Sequence, residues 1–394
     1  MKSRITMLGI SRWNEEYSYK TIERFFDKKL DWLGIKWGLI KKVIGKEVIL
    51  VADETTVSKS GKKTYGLGYF YSGLHSRPIK GISFLSFSLV DVKSRRAYPL
   101  FSKQMGKQKK KEKEKKAKRK VGRPKGSKNK NSKDKRLKGT FRVVSYFLKI
   151  ILKVVKVPNL RYFVYDGAFG NNAGIQATRK TDLHLISKLK KNAALYFKYT
   201  KKQKGRGRPK IYGEKIDISL LSDTYLKESK IDKDIEVKIY QFEALSKSIS
   251  GSLNIVVLYA KNLKNQKETH TILFSTDLKQ DFQKIIDYYS LRFQIEFNFR
   301  DAKQFFGLED FMNVKKRRIH NFANLSMFMN SLSYLVHQKS GFSNYSVNDL
   351  KSIFIAERYT REVLKLYGKN VDDILINEAI AKVSTFSLIH RSSA

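Results

Sequence analysis

The sequence predicts an α/β protein in which a mixed β-sheet is flanked by helices. Apolar runs that are typical of strands recur at 47–91, at 160–187 and at 211–275. Helical patterns lie before, between and after these stretches. The chain has 394 residues, enough for two or three domains, and 41% of them are hydrophobic, so a large core is available.

The amino-terminal part combines helices and strands. Residues 1–45 predict three short helices, which could dock on DNA through their basic residues or could equally pack as a cap on the next domain. Apolar runs at Glu47–Asp53, Tyr65–Tyr71 and Ile82–Asp91 then predict an antiparallel meander.

A strongly basic segment at 107–138 interrupts this pattern, with 18 Lys or Arg against three acids. Such a block repels itself and cannot bury a core, so it predicts a disordered loop. It contains the motif Gly122-Arg-Pro-Lys-Gly, and Gly205-Arg-Gly-Arg-Pro-Lys follows later. Both resemble AT-hook cores, in which Arg206 and Arg208 would enter a narrow A·T minor groove. A basic, solvated linker explains them equally well.

The middle of the chain alternates helix and strand. A helix is predicted at 140–157, a strand at Leu160–Asp166, a helix near Ala173–Lys180 and a strand at Leu183–Ser187. Four further candidate strands and one long helix follow, at 216–220, 235–240, 253–259, 271–274 and 278–306. The remainder, from Asn313, is predicted to be mostly helical.

Three acids can support metal chemistry. Asp53 and Asp166 are placed at the carboxyl ends of predicted strands, and Glu296 lies within the long helix. Two or three carboxylates suffice to hold Mg²⁺ with a substrate phosphate, and two such ions can activate water or a 3′-hydroxyl. For Asp166 alone, a turn or helix cap is the simpler explanation. The order of strands, helix and acids together is that of an RNase H-like core.

The long helix also carries Tyr289, Arg292 and Lys303. At about 100° per residue, these side chains and Glu296 share one face within about 60°. Ion pairing on a solvated surface would explain the spacing too. However, Phe293, Phe297 and Phe299 flank the stripe. Burial of Glu296 among them would be costly unless it were paired or held a metal.

The spacing Tyr289-x2-Arg292-x3-Glu296-x6-Lys303 resembles the Y-x2-R-x3-E-x6-K signature of DDE transposases of the insertion-sequence-four type. Asp53 and Asp166 match the first two acids of that family. The resemblance implies that the three acids bind Mg²⁺, with Mn²⁺ as a substitute. It also implies that Tyr289 and Arg292 hold phosphates near a flipped base, and that Lys303 contacts the transposon end.

Two further cations are candidate DNA contacts. Arg300 shares the face of the signature, and Lys188 follows a strand that should lie beside the site, although solvation explains Lys188 equally well. Asp91 ends a predicted strand and is the best rival to Asp53, but a turn is its simpler role.

Composition limits the function. The formal net charge of +45 favours a polyanion as partner, and the absence of cysteine excludes disulfides and thiolate zinc sites. No signal peptide and no apolar run of about 18 residues is found, which predicts a cytoplasmic, nucleoid-associated protein without a membrane span. The expected partners are terminal inverted repeats and target DNA, bound by a homodimer. An inactive DNA-binding relic or repressor, or another RNase H-like nuclease, is the alternative.

The expected division has three parts. A helical region at 1–45 precedes an RNase H-like catalytic domain at 46–310, which includes the basic loop and a β-rich insertion at about 200–275. A helical region at 311–394 completes the chain.

Overall fold

A computed structural model describes residues 4–14, 16–73, 75–106, 134–201, 207–340, 344, 346–367 and 373–384. Its strands are β1 (Val48–Ser58), β2 (Gly68–Ser72), β3 (Arg77–Asp91), β4 (Arg96–Met105), β5 (Tyr162–Val164), β6 (His184–Lys188), β7 (Tyr196–Lys198), β8 (Tyr212–Lys215), β9 (Leu226–Asp232), β10 (Ile235–Leu245), β11 (Ser252–Asn262) and β12 (Glu268–Ser275). Its α-helices are α1 (Met7–Trp13), α2 (Tyr19–Asp27), α3 (Trp32–Ile40), α4 (Gly139–Val154), α5 (Asn172–Arg179), α6 (Phe282–Leu291), α7 (Gln294–Gln304), α8 (Lys316–Ser340), α9 (Val347–Tyr367) and α10 (Asp373–Ser384).

The described strands form one mixed sheet in the order β2-β3-β1-β5-β6-β12-β11-β10-β7-β8, with β4 beside β3 and β9 beside β10. β5 runs parallel to β1 and β6 runs parallel to β5, whereas the other pairs are antiparallel. This confirms the predicted α/β class with an RNase H-like mixed sheet. The β-rich insertion is not a separate sheet, because β12 pairs with β6 and so extends the core sheet.

Helices cover both faces of the sheet. The strand period of two sends Leu50 and Ala52 of β1 toward α3, α4 and α5, and sends Ile49 and Val51 toward α6, α7 and α8. Both faces are apolar because the central strands are buried on each side. A residue's place in the alternation therefore decides which set of helices it meets.

Several predicted elements differ from the structure. β4 was not predicted, because Pro99 weakens its strand pattern; β4 pairs only with β3, and an edge strand tolerates the missing N–H. Residues 216–220 form no strand, since Ile218–Leu220 is a short 3₁₀ turn that Asp217 caps. The helix predicted over 278–306 is divided into α6 and α7.

The basic segment 107–138 lies mostly outside the described residues. Its last five residues are described, and Leu137 is buried in the core. Asp134 accepts a hydrogen bond from Asn172 of α5, and the Lys135 carbonyl accepts one from Gln176. The prediction of a disordered loop therefore fails at 134–138, where an apolar side chain and contacts to α5 fix the chain.

The amino-terminal helices dock on α8 through a buried polar contact. Asn321 accepts a hydrogen bond from the Trp32 indole at 2.9 Å, and its amide donates to the carbonyls of Phe26 and Lys28. The Phe26 ring stacks on Phe322 at 5.3 Å. A buried amide or carbonyl that loses its hydrogen-bond partner destabilises the folded state, so this contact holds α2 and α3 in place.

We expect Asn321→Ala to lower the free energy of unfolding by about 2–4 kcal/mol, because it leaves one buried donor and two carbonyls without partners. Urea denaturation measures this loss. Asn265→Ala, in an exposed turn, is the matched control and should cost less than about 1 kcal/mol. Equal losses in both variants would show that the docking contact is not important for stability.

Among the described residues, no helix combines the length and the apolar character that crossing a bilayer requires.

Candidate active site

Asp53 and Asp166 lie side by side on the sheet. Leu50 pairs with Phe163 and Val51 with Val164, so the register brings Asp53 level with Asp166 at the end of β5. The alternation sends both side chains toward α6 and α7. The sequence predicts Asp53 at the end of its strand, but in the structure Asp53 lies within β1. β1 continues to Ser58 because the β-branched residues that follow pair with β3.

Asp166 also has a local structural role. Its Oδ1 accepts a hydrogen bond from the Ala168 amide at 3.0 Å and so caps a 3₁₀ turn at Gly167–Phe169. The Asp166 carbonyl accepts a bond from Ser187 Oγ at 2.6 Å. These contacts fix the position of Asp166 and of its carboxylate.

Glu296 lies in the first turn of α7, just after a break from α6. The break is a tight turn, because the amides of Phe293 and Glu296 bond to carbonyls three residues earlier. Arg292 and Phe293 keep right-handed helical angles there, so the backbone stays helical between α6 and α7 but forms a 3₁₀-type turn. The prediction that the signature lies on a single continuous helix is therefore wrong.

Arg292 joins two of the acids. Its Nη1 donates to Asp53 Oδ2 at 2.7 Å and its Nη2 donates to Glu296 Oε1 at 3.2 Å. The guanidinium is partly buried, with 15% of the side chain exposed, and its buried Nε makes no hydrogen bond within the described residues. The structure thus places a cation between two of the predicted metal ligands.

The pKa of Asp53 is raised to about 6, mainly by burial and in addition by the nearby charges of Asp166 and Glu296. Arg292 and the amide of Glu54 act in the opposite direction, but they do not offset the burial. The effect of both other acids on Asp53 shows that Asp166 and Glu296 each lie within electrostatic reach of Asp53.

We expect Asp53→Asn to raise the free energy of unfolding at pH 7.5, by on the order of 2 kcal/mol. The folded pKa of Asp53 is above its unfolded value, so its stabilising contribution is complete below about pH 4 and is lost as the pH rises through about 6. Denaturation between pH 4 and pH 8 measures this difference. A constant gap between variant and wild type across that range would contradict the raised pKa.

Two of the other predicted site residues, Tyr289 and Lys188, lie beside the acids. Tyr289 lies at the end of α6 beside Arg292, and burial raises the pKa of its phenol. Lys188 follows Ile186 in β6, which pairs with Val164, so Lys188 is level with Asp166. The register and alternation thus bring Lys188 to the same face as the acids.

Lys303 and Arg300 make contacts of their own. Lys303 donates to the Thr56 carbonyl at 3.0 Å and pairs with Glu309 at 3.4 Å. Arg300 is half exposed, pairs with Asp301 at 3.0 Å and lies 4.9 Å from the Phe297 ring centre. Lys303 joins α7 to the continuation of β1, and Arg300 lies outside the ion pairs of the acids.

Arg208 lies far from the acids. It precedes β8, which is six strands away from β5 in the sheet, or about 29 Å at the usual strand spacing. Arg206 lies outside the described residues. Asp91, the rival to Asp53, is buried and accepts hydrogen bonds from the amides of Gly45 and Ser94, which is a structural role.

The donor chemistry of the site suits a hard divalent cation. Asp53, Asp166 and Glu296 offer only carboxylate oxygens, which are the ligands that Mg²⁺ prefers. As placed, no three acidic or histidine side chains of the described residues are close enough to hold a metal ion. The Arg292 guanidinium occupies the position between Asp53 and Glu296, so the acids fit a metal only after it moves.

The family of the chain agrees with this geometry. The family model described as "DDE superfamily endonuclease" matches residues 1–236, more than half of the chain. The chain therefore belongs to the DDE superfamily endonucleases, which implies nuclease chemistry on a DNA substrate. The match includes Asp53 and Asp166 and ends before Glu296, so the third acid rests on the sequence spacing and the geometry. No curated protein matches the chain.

Proposed function

We propose that the protein is a DDE transposase that cuts the ends of an insertion sequence and joins their 3′-hydroxyls to target DNA. The observation that carries this proposal is the ion-paired group of Asp53, Arg292 and Glu296 beside Asp166. A plain nuclease needs the acids, but it does not need Tyr289, Arg292 and Lys303 at the spacing of the transposase signature.

In this proposal Asp53, Asp166 and Glu296 hold Mg²⁺, for which Mn²⁺ can substitute. When bound, the metal would activate the attacking oxygen and stabilise the leaving oxygen. The chain's own residues supply binding and position. Asp166 is fixed by its cap and by Ser187, and Asp53 is fixed by its strand, so two ligands are held in place before the metal binds.

Arg292 has two states in this proposal. In the absence of DNA it neutralises Asp53 and Glu296. A DNA phosphate would compete for the guanidinium, since a planar fork binds phosphate with two parallel hydrogen bonds. Movement of Arg292 to the phosphate then leaves both carboxylates to the metal. Tyr289, Lys188 and Lys303 provide further contacts to the bound strand.

Joining requires only the exchange of phosphodiester bonds. The 3′-oxygen of the cut end attacks a phosphorus of target DNA, a new P–O bond forms, and the bond to the target's own 3′-oxygen breaks. The number of phosphodiester bonds is unchanged, so no oxidant or nucleotide is consumed. Two ends must meet, which favours a homodimer on DNA.

Joining of a pre-cut end to supercoiled plasmid separates a transposase from a nuclease. A duplex that carries the flanking inverted repeat and ends in a 3′-hydroxyl should give joined products with Mg²⁺ or Mn²⁺. The matched control is the same duplex with a 3′-deoxy end, which has no attacking oxygen and should give none. Plasmid nicking without joined product would leave nuclease activity and remove the transposase proposal.

A further inference from the structure

A basic cavity lies between the end of β4 and the beginning of α8. Its volume is about 880 Å³. The side chains that define it are Tyr65, Phe101, Lys103, Lys316, Arg317 and His320. Among the described residues, no acidic side chain lines it, so its polar surface favours an anionic ligand.

The described part of the chain leaves the cations of the cavity without a neutralising acid. Within the described residues, no acid lies within ion-pair distance of Lys103, Lys316 or Arg317. Arg318, the next residue, differs because it binds Glu23 at 2.6 Å and Asp27 at 2.7 Å. The charges that face the cavity are therefore available for a ligand.

The start of α8 adds to the positive field. Lys315–Arg318 are four consecutive cations, and the first turn of the helix contains no acid. Cations at a helix amino terminus oppose the helix dipole, whereas an anion there would be stabilised by it. An anionic ligand in the cavity would offset this unfavourable arrangement.

The same positive charges affect the pKa of His320. Its pKa is lowered to about 4, mainly by burial and in addition by Lys103, Lys36, Arg317 and Lys316. The imidazole is therefore neutral near pH 7 and adds no further charge. The lowered pKa of His320 agrees with the concentration of positive charge among the lining residues.

The cavity also presents aromatic rings. The Tyr65 side chain is 48% exposed, and the Lys316 ammonium lies 5.3 Å from the centre of its ring. Phe101 contacts His320, with 5.6 Å between the ring centres. Cations that bind phosphates, combined with an exposed aromatic ring that contacts a sugar or base, are typical of protein surfaces that bind nucleic acids.

The position of the cavity links it to the acids. Lys103 pairs with Leu85 in β3, and Leu85 pairs with Glu54, the neighbour of Asp53. Two strand spacings amount to about 10 Å, which is less than the width of a major groove. By the strand alternation, Lys103, Leu85 and Glu54 face α4 whereas Asp53 faces α6 and α7, so one DNA duplex meets both the cavity and the acids only by passing the end of β4.

We propose that this cavity is a second DNA-binding site, in which Lys103, Lys316 and Arg317 bind backbone phosphates and Tyr65 contacts the adjoining sugar or base. The ligand is the same duplex that is cleaved at the acids, so the inference rests on the proposed function. The cavity supplies affinity and register, and the acids supply the chemistry.

Salt-dependent binding of a fluorescent 20-bp duplex to the full chain tests this proposal. The test variant combines Lys103→Gln, Lys316→Gln and Arg317→Gln. The matched control combines Lys153→Gln, Lys156→Gln and Lys180→Gln, three exposed lysines near the opposite ends of β5 and β6. Each phosphate contact contributes about 0.9 to the slope of log K against log salt concentration. The test variant should reduce the slope by about two to three, and weaken binding at 0.1 M salt by roughly 100-fold.

The control variant should change the affinity by less than about threefold, because its lysines lie before β5 and β6, at the ends of these strands opposite to the acids. Equal slopes and affinities for the test variant and wild type would overturn the proposal. Thermal shifts with inorganic phosphate add a second readout. Stabilisation by phosphate that the test variant loses, without any change in DNA binding, would make the cavity an anion site separate from DNA and would also overturn the proposal.

Cleavage by Asp166→Asn, measured beside these variants, separates this inference from the proposed function. If Asp166→Asn cleaves like wild type, the proposed function fails whatever the cavity binds, and the inference fails with it. If the test variant binds normally and Asp166→Asn is inactive, only the cavity proposal fails. Circular dichroism melts of each variant confirm that the fold is intact.

Discussion

Glu296→Gln is expected to lower metal-dependent DNA cleavage by at least about 1000-fold, equivalent to about 4 kcal/mol of transition-state stabilisation. The change replaces a proposed metal ligand, which is charged, by a neutral amide of the same size. Folding should be retained, since Glu296 is 40% exposed and Arg292 keeps its bond to Asp53. Cleavage rates and DNA affinity are both measured, because affinity should change little.

Glu309→Gln is the matched control for this prediction. Glu309 is exposed to a similar extent, pairs with Lys303, and lies in the loop after α7. Its neutralisation changes the same charge without touching the acids, so cleavage should stay within about threefold of wild type. Equal cleavage by Glu296→Gln and Glu309→Gln would remove Glu296 from the mechanism.

Arg292→Gln is expected to change metal binding and cleavage in opposite directions. Without the guanidinium, Asp53 and Glu296 lose a cation that lies within 3.2 Å of both. Binding of Mn²⁺ in the absence of DNA should therefore become at least about tenfold tighter, a gain of about 1.4 kcal/mol. Cleavage should fall by at least about 100-fold, since the amide cannot hold a phosphate with two charged hydrogen bonds.

Mn²⁺ paramagnetic resonance measures free and bound metal without relying on activity. Arg300→Gln is the control, because Arg300 is on the same helix but pairs with Asp301 and not with the three acids. It should leave Mn²⁺ binding within about twofold of wild type. Unchanged Mn²⁺ affinity in Arg292→Gln would show that the guanidinium does not compete with metal.

The strands that hold the acids were predictable from the sequence. Apolar runs before Asp53 and Asp166 identify buried strands, and parallel pairing then brings their residues to the same level. The spacing of Arg292 and Glu296 predicts their i,i+4 ion pair, and the structure contains it. The apolar runs and the Arg292–Glu296 spacing depend on residues that are close in sequence, which is why they could be found.

Features that depend on distant residues were not predictable. The break between α6 and α7 contains no Gly or Pro to indicate it. Arg292 at this break is held by Asp53, 239 residues earlier in the chain. β4 was missed because Pro99 obscures its pattern, and Lys103 of the basic cavity was missed with it. Tertiary pairing decides each of these features, so local preference gives no signal.

The most direct test of the account compares wild type with Asp166→Asn on a DNA duplex that carries the flanking inverted repeat, with Mg²⁺ or Mn²⁺. Asn retains an oxygen that can accept the Ala168 hydrogen bond, so the variant should fold and bind DNA. We expect metal-dependent cutting at the repeat boundary by wild type and none by the variant. Equal cutting by both proteins, or tight binding without cutting by either, would contradict it.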